Sequence, residues 1–390
     1  MNGDWKAATL SEVCEFYNGL WKGEKPPFVT AGVIRNTNFA QDGTLDDTDI
    51  AYLEVEERKL EKRRLRCGDI ILEKSGGGPK QAVGRVVLFD KTDGVFSFSN
   101  FTSALRVRDP HQLDFRFLHK FLYWTYVSGK TAAIQSHSTG IRNLDMDAYK
   151  AISIAIPPLA EQKRIVAKLD EAFEAIEIAK RNAGASKAKS SELLKSVVDR
   201  ALSDREGVWT IRSIQDLAEN LDSRRIPITK GSRRSGEVPY YGASGIVDYV
   251  ADHIFEGDHL LISEDGANLL ARSSPIAFSA NGKFWVNNHA HILRFDSMVT
   301  QRYVEHYFNT IRIDGYVTGA AQPKLTQQAL NKIPIPIPRD LRAQEQVVST
   351  IDRFRQEIER LESVFSLKEA TLEALRGSLL SEAFSGRQTA

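Results

Sequence analysis

The sequence predicts an α+β fold: two mixed α/β domains, related by an internal repeat and a pseudo-two-fold axis, are separated by two long antiparallel coiled-coil helices. Three observations carry this prediction: a duplicated segment, β-branched or alternating runs upstream of each copy, and a long apolar seam within each copy. The 390 residues, 42% hydrophobic and 26% charged, suffice for two or three domains with cores of their own.

The duplication sets the domain boundaries. The stretch PPLAEQKRIVAKLDEAFEAIE, from Pro157, matches RDLRAQEQVVSTIDRFRQEIE, 182 positions later, without a gap. Gln162 lies over Gln344 and Asp170 over Asp352, and weaker matches continue upstream with offsets that drift through surface loops. We therefore predict domains at 1–158 and 207–340, each followed by a long helix, at 159–206 and 341–390.

Each domain contains strand-like and helix-like runs. Short β-branched or alternating stretches bounded by Gly, Asp and Asn predict strands, among them GDIILEKS, TSALRV, HLLISE and AHILRF. QLDFRFLHKFLYWTYVS and TQRYVEHYFNTI carry aromatic residues at helical spacing and predict one helix in each domain. We interpret this aromatic stripe as core.

The two long helices carry the seam of a coiled coil, in steps of three and four residues. At about 44 residues each would be roughly 65 Å long. An antiparallel pair related by a pseudo-two-fold axis would place the small Ala183 opposite the large Phe365 and hold the two domains apart. The predicted helix-pair interface is Ile165, Leu169, Ile176, Ala183, Leu193, Val197, Val347, Ile351, Ile358, Phe365, Leu375 and Leu379.

Composition limits the function classes. The chain has no run of about 18 apolar residues, and its first residues lack the apolar core of a signal peptide, so we expect a cytoplasmic protein without a membrane partner. Cys14 and Cys67 have no metal-type spacing, and no metal site is expected. The net charge of +1 means that any nucleic-acid-binding face must concentrate its basic residues locally.

The order of these segments resembles the specificity subunit of type I restriction–modification systems. The resemblance covers essentially the whole chain and rests on the two "IP-P…EQ…I…LD" helix openings, the two "A-[LF]-S" helix ends, and PYYGASGIVDYV with LLISEDGANLL in the second half. It implies two target-recognition domains, each reading one half of a bipartite double-stranded DNA site. It also implies two methyltransferase subunits that carry S-adenosylmethionine, and restriction or translocase subunits in the full complex.

The residues themselves agree with a reader that has no chemistry of its own. The chain lacks the N-P-P-[FYW] and D-P-P-[FYW] motifs of amino-methyltransferases, a G-x-G-x-x-G loop, and a convincing nuclease site. We therefore expect neither catalytic residues nor a cofactor in this chain. Two domains that contact one face of a duplex must be spaced by about one helical turn, roughly 34–36 Å, so a fixed spacer between unlike half-sites is expected.

Basic and polar turns supply the candidate DNA contacts. RRIPITKGSRR holds five cations and no acid, EKSGGGPKQ and SEDGANLL follow strands in the two repeats, and WVNNHAHIL alternates polar residues. The turns STGIRN and AAQPKL occupy equivalent places, which predicts a shared backbone contact for Arg142 and Lys324. The candidates are Lys74, Ser75, Lys80, Arg142, Asn143, Arg224, Arg225, Lys230, Arg233, Arg234, Tyr241, Ser244, Glu264, Asn268, Asn287, His289, Gln322 and Lys324.

Other functions remain open from the residues alone. A hydrolase or nuclease would repeat an acid cluster in both halves, and none is found. A coiled-coil scaffold that does not bind DNA would not explain why the repeats diverge at their turns. The specificity component of a methylation-only or phage-defence system differs only in its partners.

Overall fold

A computed structural model describes residues 5–20, 23, 25–77, 81–138, 141–203, 209–319 and 321–384. The chain forms two compact units. The first is built from the described residues up to Ala183 together with those from Leu367 onward, and the second from Gly184–Ser366. Each unit thus contains one α/β domain and parts of both long helices.

The first unit has twelve strands among its described residues. They are β1 (Lys6–Thr9), β2 (Cys14–Asn18), β3 (Phe28–Ile34), β4 (Ala51–Glu56), β5 (Ile70–Glu73), β6 (Ser75–Gly77), β7 (Val86–Leu88), β8 (Phe96–Phe98), β9 (Thr102–Val107), β10 (Gln135–Ser138), β11 (Ile141–Leu144) and β12 (Ser153–Ile156). Its helices are α1 (Leu10–Val13), α2 (Glu57–Glu61), α3 (Phe115–Val127), α4 (Met146–Lys150) and the long α5 (Leu159–Ser203), which continues into the second unit.

The second unit repeats this plan. Its strands are β13 (Trp209–Arg212), β14 (Ala218–Asn220), β15 (Ser235–Gly242), β16 (Gly245–Val250), β17 (Phe255–Glu256), β18 (His259–Ser263), β19 (Ala277–Ala280), β20 (Lys283–Val286), β21 (Ala290–Phe295) and β22 (Ile335–Pro338). Its helices are α6 (Ile214–Leu217), α7 (Asn268–Ala271), α8 (Met298–Thr310), α9 (Gln327–Leu330) and the long α10 (Leu341–Phe384), which continues into the first unit.

Sheet topology shows the repeat directly. The main sheet has the order β2-β9-β5-β7 in the first unit and β14-β21-β18-β19 in the second. A second sheet has the order β4-β3-β8 in the first unit and β16-β15-β20-β17 in the second. A two-stranded antiparallel pair, β1 with β12 or β13 with β22, ends just before each long helix begins. The predicted fold class, two mixed α/β repeats with two long helices, is confirmed.

The aromatic helices belong to the cores, as predicted. In the first unit Phe117 and Phe121 of α3 pack edge-on against Phe384 near the end of α10. In the second unit Tyr303 and Val304 of α8 are fully buried beside Ile351 of α10. Aromatic rings at helical spacing therefore join each sheet to a long helix.

Within each unit the two long helices run antiparallel. In the first unit Arg376 bonds Glu177 at 3.0 Å, while Glu373, one turn earlier in α10, pairs with Lys180, later in α5. In the second unit Ser191 Oγ donates to Glu362 at 3.0 Å. Ala183 ends the stretch of α5 in the first unit, whereas Phe365 belongs to the second, and their apposition stays a prediction.

The residues predicted for the helix-pair interface differ in burial, and their pairing stays a prediction. Ile165, Leu169, Ile176, Ile351 and Ile358 are buried, whereas Leu193 and Leu375 are 52% and 46% exposed and do not belong to the packed face. The buried residues nearby are Val198 and Leu202 on α5, and Arg376, Leu380 and Phe384 on α10. The stripe shifts because each helix end must cover an α/β domain as well as the other helix.

No helix in the described part of the chain is long and apolar enough to cross a membrane.

Candidate nucleic-acid interface

In the first unit, four predicted DNA contacts meet where the central strand β5 ends. Lys74 follows β5, and Ser75 begins β6, which pairs with β11 at Arg142 and Asn143. The Ser75 hydroxyl donates to Asn143 Oδ1 at 2.6 Å, and Lys74 Nζ donates to Asn18 Oδ1 at 3.1 Å. Tertiary folding thus brings two distant predicted segments together into one polar surface.

The same backbone frame exists in both units. In the first unit the backbone N–H of Lys74 donates to the carbonyl of Phe101 at 3.1 Å. In the second unit the backbone N–H of Glu264 donates to the carbonyl of His289 at 2.9 Å. Leu144 N donates to the Lys74 carbonyl at 2.8 Å, and Leu325 N to the Glu264 carbonyl at 2.7 Å. These bonds equate Lys74 with Glu264, Ser75 with Asp265, Phe101 with His289, and Asn143 with Lys324; we call these four pairs the frame positions.

The frame corrects one expectation. Lys324 was predicted to correspond to Arg142, but the bridge between Asp265 and Lys324 corresponds to the pairing of Ser75 with Asn143. Lys324 is therefore equivalent to Asn143, one residue after Arg142. Arg142 is equivalent to Pro323, which is buried. A shared contact through Arg142 and Lys324 is therefore not supported.

Side chains at the frame positions of the second unit are charged and mutually paired. Glu264 accepts from Arg225 at 2.6 Å and lies 3.2 Å from Lys324 Nζ. Asp265 holds Nδ1 of His289 with both carboxylate oxygens, at 2.9 and 2.8 Å. Because each acid of this surface has a cation or an N–H partner, the side chains are held in fixed orientations.

A buried charge cluster supports this surface from beneath. Asp222, Glu264 and His291 place possible metal-ligand atoms within 4.8 Å of one another. However, His291 Nδ1 bonds Asp222 at 2.6 Å and its Nε2 donates to the Leu325 carbonyl at 2.8 Å, so both ring nitrogens are engaged. Arg225 supplies a positive charge at the same place. The arrangement is that of an internal ion-pair network.

Electrostatics of this cluster favours ionised acids. Desolvation opposes the charged form of Glu264, but the hydrogen bond from Arg225 and the nearby positive charges outweigh it and lower the pKa of that carboxyl. The same balance holds for Asp222. Burial opposes its ionisation, but the hydrogen bond and the charge of His291 lower the pKa of the Asp222 carboxyl below its ordinary value. Both acids are therefore held as anions inside the ion-pair network, and base reading by Glu264 stays a prediction.

Most of the positive charge of the loop at residues 224–234 is neutralised by acidic side chains. Each of its arginines has an acidic partner from elsewhere in the second unit: Arg224 with Glu219, Arg225 with Glu264, Arg233 with Asp248 and Arg234 with Asp252. Arg225 and Arg233 are mostly covered, and we assign them to the fold instead of to DNA contact. Lys230 is exposed and has no ion-pair partner among the residues described, so it remains the clearest cationic candidate.

Three further candidates serve internal structure. Asn287 is buried, and its Oδ1 accepts from the amide of His289 at 2.8 Å. Asn268 uses both ends of its amide to close a turn at Ser274. Tyr241 is half-buried, with its ring against Phe284. The side chains at these positions are bonded or packed within the unit.

Of the remaining candidates, two are exposed and one lies outside the residues that the structure describes. Ser244 and Gln322 are exposed, in the turn between β15 and β16 and in the turn before Lys324, respectively. Lys80 lies outside the described residues. The structure also adds Phe101, 46% exposed beside Lys74, which sequence reasoning missed. Its only sequence signal is its place just before TSALRV, equivalent to His289 before AHILRF.

A second repeated surface lies on the long helices. A groove of about 260 Å³ in the first unit is lined by Arg164, Ile165, Lys168, Leu169, Leu379, Glu382 and Ala383. A groove of about 450 Å³ in the second unit is lined by Val197, Arg200, Ala201, Trp209, Pro338, Ala343, Gln346, Val347, Thr350 and Phe354. Ile165 and Val347, Leu379 and Val197, and Ala383 and Ala201 are equivalent in the duplication. Each unit therefore carries the same groove once.

Curated relatives match over less than half of their length. The chain is 34% identical over 158 residues to a putative type I restriction enzyme specificity subunit, S.HindORF215P, of Haemophilus influenzae, covering 40% of each chain. It is 31% identical over 177 residues to the type I restriction enzyme EcoKI specificity subunit of Escherichia coli, covering 43% of this chain and 35% of that one.

Solved structures share the fold over nearly the whole chain. A chain from a study of complex assembly and conformational transition of the type I R-M system has a TM-score of 0.76 at 16% identity, with 98% of both chains covered. The HsdS subunit from Thermoanaerobacter tengcongensis has a TM-score of 0.61 at 17% identity, with 98% of this chain and 97% of that chain covered. The family model of the type I restriction modification DNA specificity domain matches twice, at residues 2–183 and 206–364. With these two copies of the domain, the chain belongs to the type I restriction modification DNA specificity family.

Proposed function

We propose that this chain is the specificity subunit of a type I restriction–modification enzyme, and that its two domains each read one half of an asymmetric bipartite DNA site. The observation that carries the proposal is the repeated backbone frame with unlike side chains. Lys74, Ser75, Phe101 and Asn143 are replaced by Glu264, Asp265, His289 and Lys324 on the same main-chain hydrogen bonds. A scaffold that does not bind DNA would not explain why the main-chain hydrogen bonds are conserved while all four side chains differ.

Asymmetry of the site follows from chemistry. The first set of frame positions offers a lysine, a hydroxyl, an amide and an apolar ring, whereas the second offers a paired histidine, acids and a lysine. Base edges in the major groove differ in their donors, acceptors and methyl groups, so unlike side chains select unlike bases. Two half-sites of different sequence are the expected target.

The paired grooves on α5 and α10 support docking of two copies of one partner. Both grooves have an apolar floor built from equivalent residues, Ile165 with Leu379 in one and Val347 with Val197 in the other. Duplicated surfaces in one chain suit a partner that binds twice. We assign that partner to two methyltransferase subunits, which would supply the S-adenosylmethionine chemistry. This chain would remain non-catalytic, and restriction or translocase subunits would join the assembly.

Modification mapping tests the proposal. The chain is co-expressed with the methyltransferase subunit of its own system, and host DNA is sequenced for methylated bases. A single asymmetric motif with two specified parts and a fixed gap supports the proposal, whereas no motif from an active partner favours a scaffold without DNA specificity. Adding the restriction subunits and measuring cleavage of unmodified DNA separates a restriction system from a methylation-only one.

A further inference from the structure

We propose that Phe101 and His289, which occupy one equivalent position, determine which base each domain accepts at the corresponding place in its half-site. This assignment rests on the proposed function and deepens it by naming the specificity-determining side chain in each domain. The equivalence is structural: the carbonyls of Phe101 and His289 accept from Lys74 N and Glu264 N, respectively. Phe101 and His289 each directly precede the strand that pairs with the central strand of the main sheet, β9 and β21.

Exposure separates His289 from the two acidic residues at the frame positions of the second unit. The Glu264 and Asp265 side chains are 12% and 14% exposed, and both are committed to partners within the unit. The His289 side chain is 46% exposed, and its Nε2 has no hydrogen-bond partner among the described residues. Of these three residues, the imidazole is the one able to meet a ligand without first breaking an ion pair.

In the first unit, too, the ring at this position is exposed, although the residues around it are different. Ser75 and Asn143 are bound to each other, and Lys74 is half-buried with its amine on Asn18. Phe101 is 46% exposed, although most large aromatic rings of this unit lie in the core. Both units therefore present an exposed ring on this surface. The other exposed frame side chain of the second unit, Lys324 at 49%, has its amine 3.2 Å from Glu264.

The chemistry of the two rings predicts different readout. Phe101 offers an apolar face without hydrogen-bonding groups, which suits the C5-methyl group of thymine or an opened base step. In His289 the Asp265 carboxylate accepts from Nδ1–H, so in the neutral ring Nε2 is an acceptor. An acceptor at that point suits the amino group of adenine or cytosine.

Exchange of the two rings tests the assignment. Phe101→His and His289→Phe are each mapped for methylated motifs in the complex with the methyltransferase subunit, beside the wild-type complex. We expect each variant to alter preference at one base pair of one half-site, with about a tenfold loss of discrimination there, and to leave the other half-site and the spacer unchanged. Asp265→Asn should affect the same base pair as His289→Phe.

Matched controls are exposed rings on the second sheet of each unit, Tyr52→Ala and Tyr249→Ala, which should leave the motif unchanged. Thermal melting of each variant verifies that these substitutions preserve the fold. An unchanged motif in both exchange variants, or equal loss at both half-sites, would overturn the assignment while leaving the proposed function intact. A wild-type complex that methylates without a bipartite motif would instead refute the proposed function.

Discussion

Gln162 and Gln344 perform the same task at the start of the two long helices. Each Nε2 donates at 2.8 Å to the carbonyl of a proline before its helix, Pro157 for Gln162 and Pro338 for Gln344. Each Oε1 accepts from the domain helix, from Asp114 N at the cap of α3 or from Thr300 Oγ1 of α8. A buried glutamine thus fixes the point where each domain joins its long helix.

Removal of this glutamine should destabilise the corresponding unit. Gln162→Ala leaves Asp114 N and the carbonyls of Gln112 and Pro157 unpaired, so we expect a loss of about 3 kcal/mol in the free energy of unfolding. Gln344→Ala removes fewer bonds and should cost about 2 kcal/mol. Chemical denaturation measures both, with the exposed Gln346→Ala as control. Equal stability of Gln162→Ala and the control would contradict the prediction.

Acid should destabilise the first unit through His119. Burial, aided by the neighbouring Lys120, lowers the pKa of His119 to about 4, while the Gly43 carbonyl and Asp170 act in the opposite direction. Because the folded state holds the neutral ring more strongly than the unfolded chain does, this contribution is complete above about pH 6.5 and is lost as the pH falls toward 4. The total is on the order of 3 kcal/mol.

The test is the stability of wild type and His119→Gln between pH 7 and pH 4. Glutamine keeps a donor for the Gly43 carbonyl but does not titrate, so the variant should lose less stability than wild type over this range. Parallel curves for the two proteins would show that His119 is not responsible.

Arg376 should anchor the last turns of α10 to the first unit. Its guanidinium is nearly buried, lies over the rings of Phe173 and Tyr123, and bonds Glu177 and the Asp42 carbonyl. Arg376→Ala should cost about 3 kcal/mol because it removes both packing and a charge partner. Arg376→Lys should rescue little, since an ammonium cannot replace a flat ring-stacking group. Limited proteolysis at the end of α10 reports the detachment, and exposed Lys368→Ala is the control.

The basic loop should divide into structural and DNA-contacting residues. Arg225→Ala leaves Glu264 and Asp222 with an uncompensated buried charge and should cost about 3–5 kcal/mol of stability. Lys230→Ala should leave stability unchanged, weaken DNA binding evenly across sequences, and reduce the salt dependence of log K by about one. Denaturation and binding titrations at several salt concentrations distinguish the two. A stable Arg225→Ala variant with reduced binding would reverse the assignment.

Much of the architecture followed from local patterns. The offset of 182 between Gln162 and Gln344 revealed the repeat, and the aromatic spacing in 112–128 and the glycine-aspartate turns located helices and strands. These features are local because a helix or strand repeats its burial every three to four or every two residues. The meeting of Ser75 and Asn143 on one surface was not predicted, because the two residues lie 68 positions apart and only the pairing of β6 with β11 brings them together.

The sequence by itself determined the repeat, the two long helices and the family resemblance, because each is written in residues close together along the chain. Only the tertiary structure decided which charged groups remain available. Arg225 forms an ion pair with Glu264, 39 positions away. Arg233 forms an ion pair with Asp248, which the pairing of β15 with β16 brings close. Likewise Leu193 is exposed and Val198 buried because the packed face of α5 depends on the domain it covers. The alignment of TSALRV with AHILRF already made Phe101 and His289 equivalent, but only the tertiary structure showed that both rings are exposed beside the end of a central strand.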